Sequence, residues 1–140
     1  GVLCHMYRDI AAHRIGTVTH VGLHTFADPR IEGGKLNSKT TEDLVEVINI
    51  FGEERLIYKT RPIDVALIRA TYADETGNIS MHKEVCPCDA TAMAQAARNS
   101  GGIVIVQVER VVKAGSIDPK LVKIPGILVD AVVVSTPEEH

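Results

Sequence analysis

Apolar residues recur along this chain at two spacings. Leu3, Met6, Tyr7, Ile10 and Ala11 fall three or four apart, which predicts an amphipathic helix over Val2 to His13, with Gly16 as its terminator. His5, Arg8, Asp9 and His13 take its polar face. Thr17 to Leu23 then reads as a short strand, with His20 as a structural residue inside it. Val45 to Ile50 and Leu56 to Lys59 read as a hairpin around Phe51-Gly52-Glu53-Glu54. Val65 to Tyr72 is nearly all apolar, as a central strand covered on both faces would be. Asp74-Glu75-Thr76-Gly77-Asn78 follows as a tight turn, since Gly77 and Asn78 take φ > 0 at little cost. A brief strand at Ile79 to Met81 comes next. Asp89 is an N-cap for a helix over Ala90 to Asn99, which Gly101-Gly102 ends. Ala92, Ala96 and Ala97 give that helix a small-residue face suited to close packing on a sheet. Ile103 to Val108 is a further buried strand, Asp118-Pro119 opens a one-turn element, and Leu128 to Val134 is the last strand.

Strand and helix alternate, and the strongest strands are continuous apolar runs. The fold class is therefore α/β, a mostly parallel sheet with flanking helices in one domain over residues 1–140. Ligands of such sheets bind beyond the carboxyl ends of strands. Leu23 to Arg30, Tyr72 to Asn78 and Glu109 to Val112 all follow strand ends, so they are candidates for one rim.

Composition narrows the function classes. Aromatic residues make up only 4% and Trp is absent, so the core must come from Val, Ile, Leu and Ala. The formal charge of -3 is spread along the chain, with no concentrated basic face for nucleic acid. No apolar run approaches the roughly 20 residues that span a bilayer, and no signal peptide is visible, which points to the cytoplasm. The chain ends on Pro137-Glu138-Glu139-His140 without a finishing element, so a piece of a longer polypeptide is expected.

Several patterns invite chemistry that their spacing does not support. Gly33-Gly34-Lys35 is not a phosphate loop, because Pro29 stands where the first Gly belongs and Leu36 replaces the Ser or Thr. Cys86-Pro87-Cys88 with His82 could be half of a metal site, but no second ligand pair follows at zinc spacing; thiols at a helix start are the preferred reading and no metal is expected. The six histidines, His5, His13, His20, His24, His82 and His140, form no pair at helical ligand spacing. Thr25 to Arg30 gathers Phe26, Asp28 and Arg30 in one loop. Arg30 could hold a carboxylate with both arms, or pair with Asp28 and only shape the loop.

Four separated segments resemble, in order, the amino-terminal (α) half of family I coenzyme A transferases. They are Thr25-Phe26-Ala27-Asp28-Pro29-Arg30 with Gly33-Gly34-Lys35-Leu36-Asn37, then Pro62 to Ser80, Val106-Gln107-Val108-Glu109, and Ile124-Pro125-Gly126-Ile127-Leu128-Val129-Asp130. The resemblance covers nearly the whole chain and implies a CoA-transferase-like open sandwich, incomplete here. It implies ping-pong transfer of CoA between a short-chain acyl-CoA and an acid such as acetate or propionate, through a glutamyl-CoA intermediate. CoA is then a substrate and no resident cofactor is expected. The nucleophilic glutamate of a Glu-x-Gly motif is expected in a β half outside this chain. Glu32-Gly33-Gly34 matches that motif in letters but sits in the wrong segment, so no catalytic residue is assigned. The implied substrate-binding residues are Gly22, Leu23, His24, Thr25, Phe26, Asp28 and Arg30, with Gly22 a candidate for backbone N–H groups facing an oxyanion. His24 departs from the pattern, since relatives commonly have Gly there. The implied partners are acyl-CoA, small carboxylic acids, the β half and further copies of the protein. Two other readings stay open: a non-catalytic partner chain that completes a β half, and an acyl-CoA hydrolase or sugar-phosphate isomerase on the same broad fold.

Overall fold

Helix α1 spans Val2–Ala11 and buries Asp9 and Ile10. It stops at His13 rather than Gly16, because His13 takes left-handed backbone (φ 56°). There the Arg14 N–H donates to the Asp9 carbonyl at 2.9 Å and the His13 N–H to Ile10 at 3.0 Å, the bond pair of a Schellman cap. Gly16 instead opens strand β1 (Gly16–Thr19). Its missing Cβ leaves room for Ile57 Cγ1, which would lie 2.6 Å away. The strand is shorter than the apolar pattern implied. The Thr19 hydroxyl accepts the Val21 N–H and Gly22 turns the chain with φ 103°, so His20 lies exposed outside the strand.

Strands β2 (Val45–Ile50) and β3 (Glu53–Lys59) form the expected hairpin, with its turn at Phe51 and Gly52, both at positive φ. This three-stranded sheet has the order β1-β3-β2 and is antiparallel throughout. Leu56 is fully buried in it. The computed structural model describes residues 1–139, and these elements belong to the first of two compact units, Gly1–Arg61. His140, the last of the six histidines, lies outside the described residues.

The second unit begins at Pro62. Strands β4 (Val65–Arg69), β7 (Ile103–Val108) and β10 (Ala131–Val134) make a parallel sheet in the order β10-β7-β4. Strands β5 (Tyr72–Asp74), β6 (Ile79–Ser80), β8 (Arg110–Val112) and β9 (Val122–Ile124) make a mixed sheet in the order β8-β5-β6-β9. The apolar run Val65 to Tyr72 is thus two strands, divided at Ala70–Thr71. Its neighbour divides at the same level, where the Glu109 N–H donates to the Thr71 carbonyl. Both chains cross from one sheet to the other in step.

Helix α2 spans Ala90–Asn99, as the sequence pattern predicts. A second Schellman cap ends it, with Gly101 at φ 78° and the Gly102 N–H on the Ala97 carbonyl. Ala90, Ala94 and Ala97 pack in one cluster with Ala66, Ile68, Val104 and Val106. The opposite face of the parallel sheet is open. Leu67 is 70% exposed and Val133 51%, with Val65 and Ile103 close behind, so β4 and β7 are covered on one face and not on both.

Candidate functional site

The loop after β1 is built around one carboxylate. Asp28 is 1% exposed and accepts four hydrogen bonds: the His24 N–H at 2.9 Å, the Arg30 N–H at 3.0 Å, Arg30 Nε at 3.0 Å and Arg30 Nη2 at 2.8 Å. The Asp28 carbonyl accepts the N–H groups of Ile31, Glu32 and Gly33. The Arg30 side chain beside it, followed by the His24 N–H, holds the Asp28 carboxyl far below the usual carboxylate range. The remaining arm of Arg30, Nη1, lies 3.0 Å from Glu54 Oε1. Arg30 is therefore engaged on both sides by protein carboxylates, and its geometry is that of a loop-shaping residue.

Around this hub the other sequence-predicted residues take definite places. Gly22 has the positive φ that suits glycine, and a Cβ there would run into the Tyr58 hydroxyl. That hydroxyl donates to the Val21 carbonyl at 2.8 Å, and burial, with the nearby Asp28 charge, pushes the phenol up. The Thr25 hydroxyl donates to the Gly22 carbonyl at 2.8 Å. Leu23 is half-buried, while His24 and Phe26 point outward, Phe26 with half its surface exposed. His24 occupies left-handed backbone at φ 61°, the conformation in which glycine carries no penalty. Sequence reasoning missed Glu54 and Tyr58, which lie 24 and 37 residues from their partners and carry no local signal. Glu32 is exposed on the surface of the loop.

In the second unit the two remaining rim segments are brought together, because β5 and β8 pair in parallel through Tyr72–Arg110. The turn between β5 and β6 is organised by Asp74, which accepts the N–H groups of Thr76 and Asn78, the Thr76 hydroxyl and the Asn78 side-chain amide. Burial opposes its charge, but these four donors outweigh burial and bring its pKa down to about 2. Asn78 Oδ1 accepts the Gly126 N–H at 3.0 Å, and Gly77 and Gly126 approach so closely that a Cβ on Gly126 would strike the Thr76 carbonyl. Beside β5, the Tyr72 ring carries the Arg110 guanidinium 4.7 Å from its centroid, Lys83 Nζ at 5.2 Å and the His82 ring edge-on at 5.0 Å. Lys83 is also held by both oxygens of Glu109, at 2.7 and 3.1 Å. Tyr72 and His82 border a cavity of about 240 Å³ that Val112, Ile117 and Leu121 also line. Among the described residues, no group of three or more His, Cys, Asp or Glu could hold a metal ion, and no helix is long and apolar enough to cross a membrane.

An α/β chain with this parallel sheet, and with these two carboxylate-organised loops, has clear relatives. Residues 4–135 match the coenzyme A transferase family. Caffeate CoA-transferase of Acetobacterium woodii is 57% identical over 136 residues, covering 97% of this chain and 26% of that protein. Acetate CoA-transferase YdiF of Escherichia coli K12 is 47% identical over 134 residues, covering 96% and 25%. The crystal structure of the acyl-CoA transferase YdiF of Escherichia coli O157:H7, as a thioester complex with CoA, matches with a TM-score of 0.93 at 46% identity, over 96% of this chain and 28% of that one. The probable coenzyme A transferase subunit alpha of Bacillus subtilis is 32% identical over 88 residues, covering 63% and 36%. The chain belongs to the coenzyme A transferase family. It spans about a quarter of the length of the caffeate and acetate CoA-transferases it matches.

Proposed function

We propose that this chain is part of the α half of a short-chain acyl-CoA:carboxylate CoA-transferase, in one α/β domain over residues 1–140. The observation that carries the reading is the match, along almost its whole length, to an acyl-CoA transferase solved as a thioester with CoA. In the proposed reaction a glutamate outside this chain attacks the acyl-CoA carbonyl, giving an acyl-glutamyl anhydride and CoA thiolate. The thiolate returns to the glutamyl carbonyl, releasing the acid and leaving a glutamyl-CoA thioester. An acceptor such as acetate or propionate completes the exchange by the reverse steps. CoA is a substrate throughout, and the proposed setting is cytoplasmic. The Bacillus subtilis relative, named for its alpha chain, favours a β half as the partner, either fused or separate, within an oligomer of such pairs.

The loop Gly22-Leu23-His24-Thr25-Phe26 with Asp28 and Arg30 is the proposed wall of the acyl-carboxylate pocket. Asp28 and Arg30 hold its shape, while His24 and Phe26 face outward and would meet the acyl group. Two measurements test this. In the complete protein, acyl-CoA with excess acetate should exchange CoA with ping-pong kinetics and leave a covalent CoA adduct on a glutamate, whereas this chain alone should show no turnover. Turnover by the isolated chain that Glu32→Gln abolishes would overturn the assignment of the nucleophile to the β half. His24→Gly in the complete protein should shift the preference between acyl chains one methylene apart by about tenfold, since a methylene in an apolar pocket is worth about 1–3 kcal/mol. An unchanged profile removes the loop from the pocket.

A further inference from the structure

Cys86 and Cys88 have no place in the transferase reading, yet their arrangement is specific. Both are exposed, in the segment that joins β6 to α2. Pro87 between them fixes its own φ near −65°, and Cys88 turns into left-handed backbone at φ 45°. The Cys88 N–H folds back onto Cys86 Sγ at 3.3 Å. Two trans peptides keep their Cα atoms within about 7.6 Å, and the Cys88 N–H contact holds the Cys86 sulfur back against the Cys88 backbone. The Cys88 thiol and then the Cys88 N–H stabilise negative charge on Cys86, so its pKa lies below that of an ordinary thiol despite the nearby Asp89 carboxylate. Cys4 offers a contrast on the same molecule: it is half-buried on α1, far along the chain from any second cysteine.

We propose that Cys86 and Cys88 form a dithiol site that reacts with low-molecular-weight disulfides and closes to an intramolecular disulfide. Cys86 is the attacking thiolate. Its sulfur bonds to one sulfur of the small disulfide, whose S–S bond breaks and releases one thiolate. Cys88 then loses its proton and attacks Cys86 in the mixed disulfide, forming the Cys86–Cys88 bond and releasing the second thiolate. The protein dithiol is oxidised by two electrons, and the small disulfide is reduced to two thiols. A ring closed over a single intervening residue and exposed to solvent belongs to the easily reduced class of disulfides. The site is thus a reversible one, placed directly before the N-cap of the helix that supports the parallel sheet.

The test is to expose the reduced protein to glutathione disulfide, quench with acid and weigh it. The wild-type chain should lose two hydrogens and carry no lasting adduct at this segment. Cys88→Ser should trap one glutathionyl group on Cys86, and Cys86→Ser should react at Cys88 about tenfold more slowly, because Cys86 Sγ accepts the Cys88 N–H, a backbone contact that Cys88→Ser retains and Cys86→Ser removes. Wild-type protein that accumulates adducts on both cysteines without closing a bridge would overturn the proposal. So would equal rates for the two single variants, or reaction at Cys86 no faster than at Cys4.

Discussion

Two histidines hold backbone that glycine would hold at lower cost. Left-handed φ costs an L-residue about 1–2 kcal/mol, and glycine recovers this at the expense of unfolded-state entropy of roughly 0.5–1 kcal/mol. His13 is exposed and acts only as the left-handed residue of the α1 cap. His13→Gly should therefore raise stability by about 0.5–1 kcal/mol, read as a higher urea midpoint at unchanged slope. Asp74 provides the opposite kind of residue, one whose charge the fold requires. Its folded pKa of about 2 lies below the ordinary value of 3.8, so its contribution is complete well above that ordinary value and is lost as pH falls through about 2. Asp74→Ala should remove this acid-limb dependence and leave buried donors unpaired, at a cost of about 1–3 kcal/mol. Acid titration of the wild type and the variant checks both parts. At this scale the sequence is partly legible. The Asp28–Arg30 pair can be read from two residues of spacing, and Gly22 and Gly77 announce themselves as glycines. What fills the space beside them, Tyr58 in one case and Gly126 in the other, depends on chain returns that no local pattern encodes.

The elements show the same division between local and distant causes. The helix over Ala90–Asn99 and the strand over Ile103–Val108 follow from spacing and from the Gly101-Gly102 stop, and both stand where the pattern put them. The run Val65 to Tyr72 does not reveal its break, because every residue up to Thr71 satisfies a strand pattern. The division arises from pairing: β4 takes β7 as its neighbour, and beyond Thr71 the same chain takes β6 and β8. Strand order in a sheet is a tertiary choice and leaves no mark on hydrophobic alternation. The segment Ile124 to Asp130 gains its meaning in the same way. Gly126 seats against the turn at Gly77. Asp130 bridges Arg98 of α2 at 2.6 Å and the Val104 N–H of β7 at 2.8 Å. Gly126→Ala should force the turn and this segment apart and destabilise the second unit by about 1–3 kcal/mol. A denaturation midpoint indistinguishable from wild type would show that the approach of these two backbones is not tight.

On the scale of the whole molecule the informative feature is an imbalance between sheet and cover. Parallel sheets are ordinarily packed on both faces, since each strand offers apolar side chains above and below. Here α2 lies against Ala66, Ile68, Val104 and Val106, and the in-register row Leu67, Ile105 and Ala131 faces the other way with Val65, Ile103 and Val133 around it. Exposed apolar side chains gathered on one sheet face are the kind of surface that marks an interaction site. The 140-residue chain should therefore self-associate at micromolar concentration and bind a dye that reports exposed apolar surface. Leu67→Lys together with Val133→Lys places two charges on that face without touching the α2 side of the sheet. The double variant should sediment as a monomer and lose the dye signal, while its unfolding free energy stays within about 0.5 kcal/mol of wild type, as for other exposed substitutions. A wild-type chain that sediments as a monomer and binds no dye would mean that this face tolerates water, and that apolar strand composition alone does not call for a second layer.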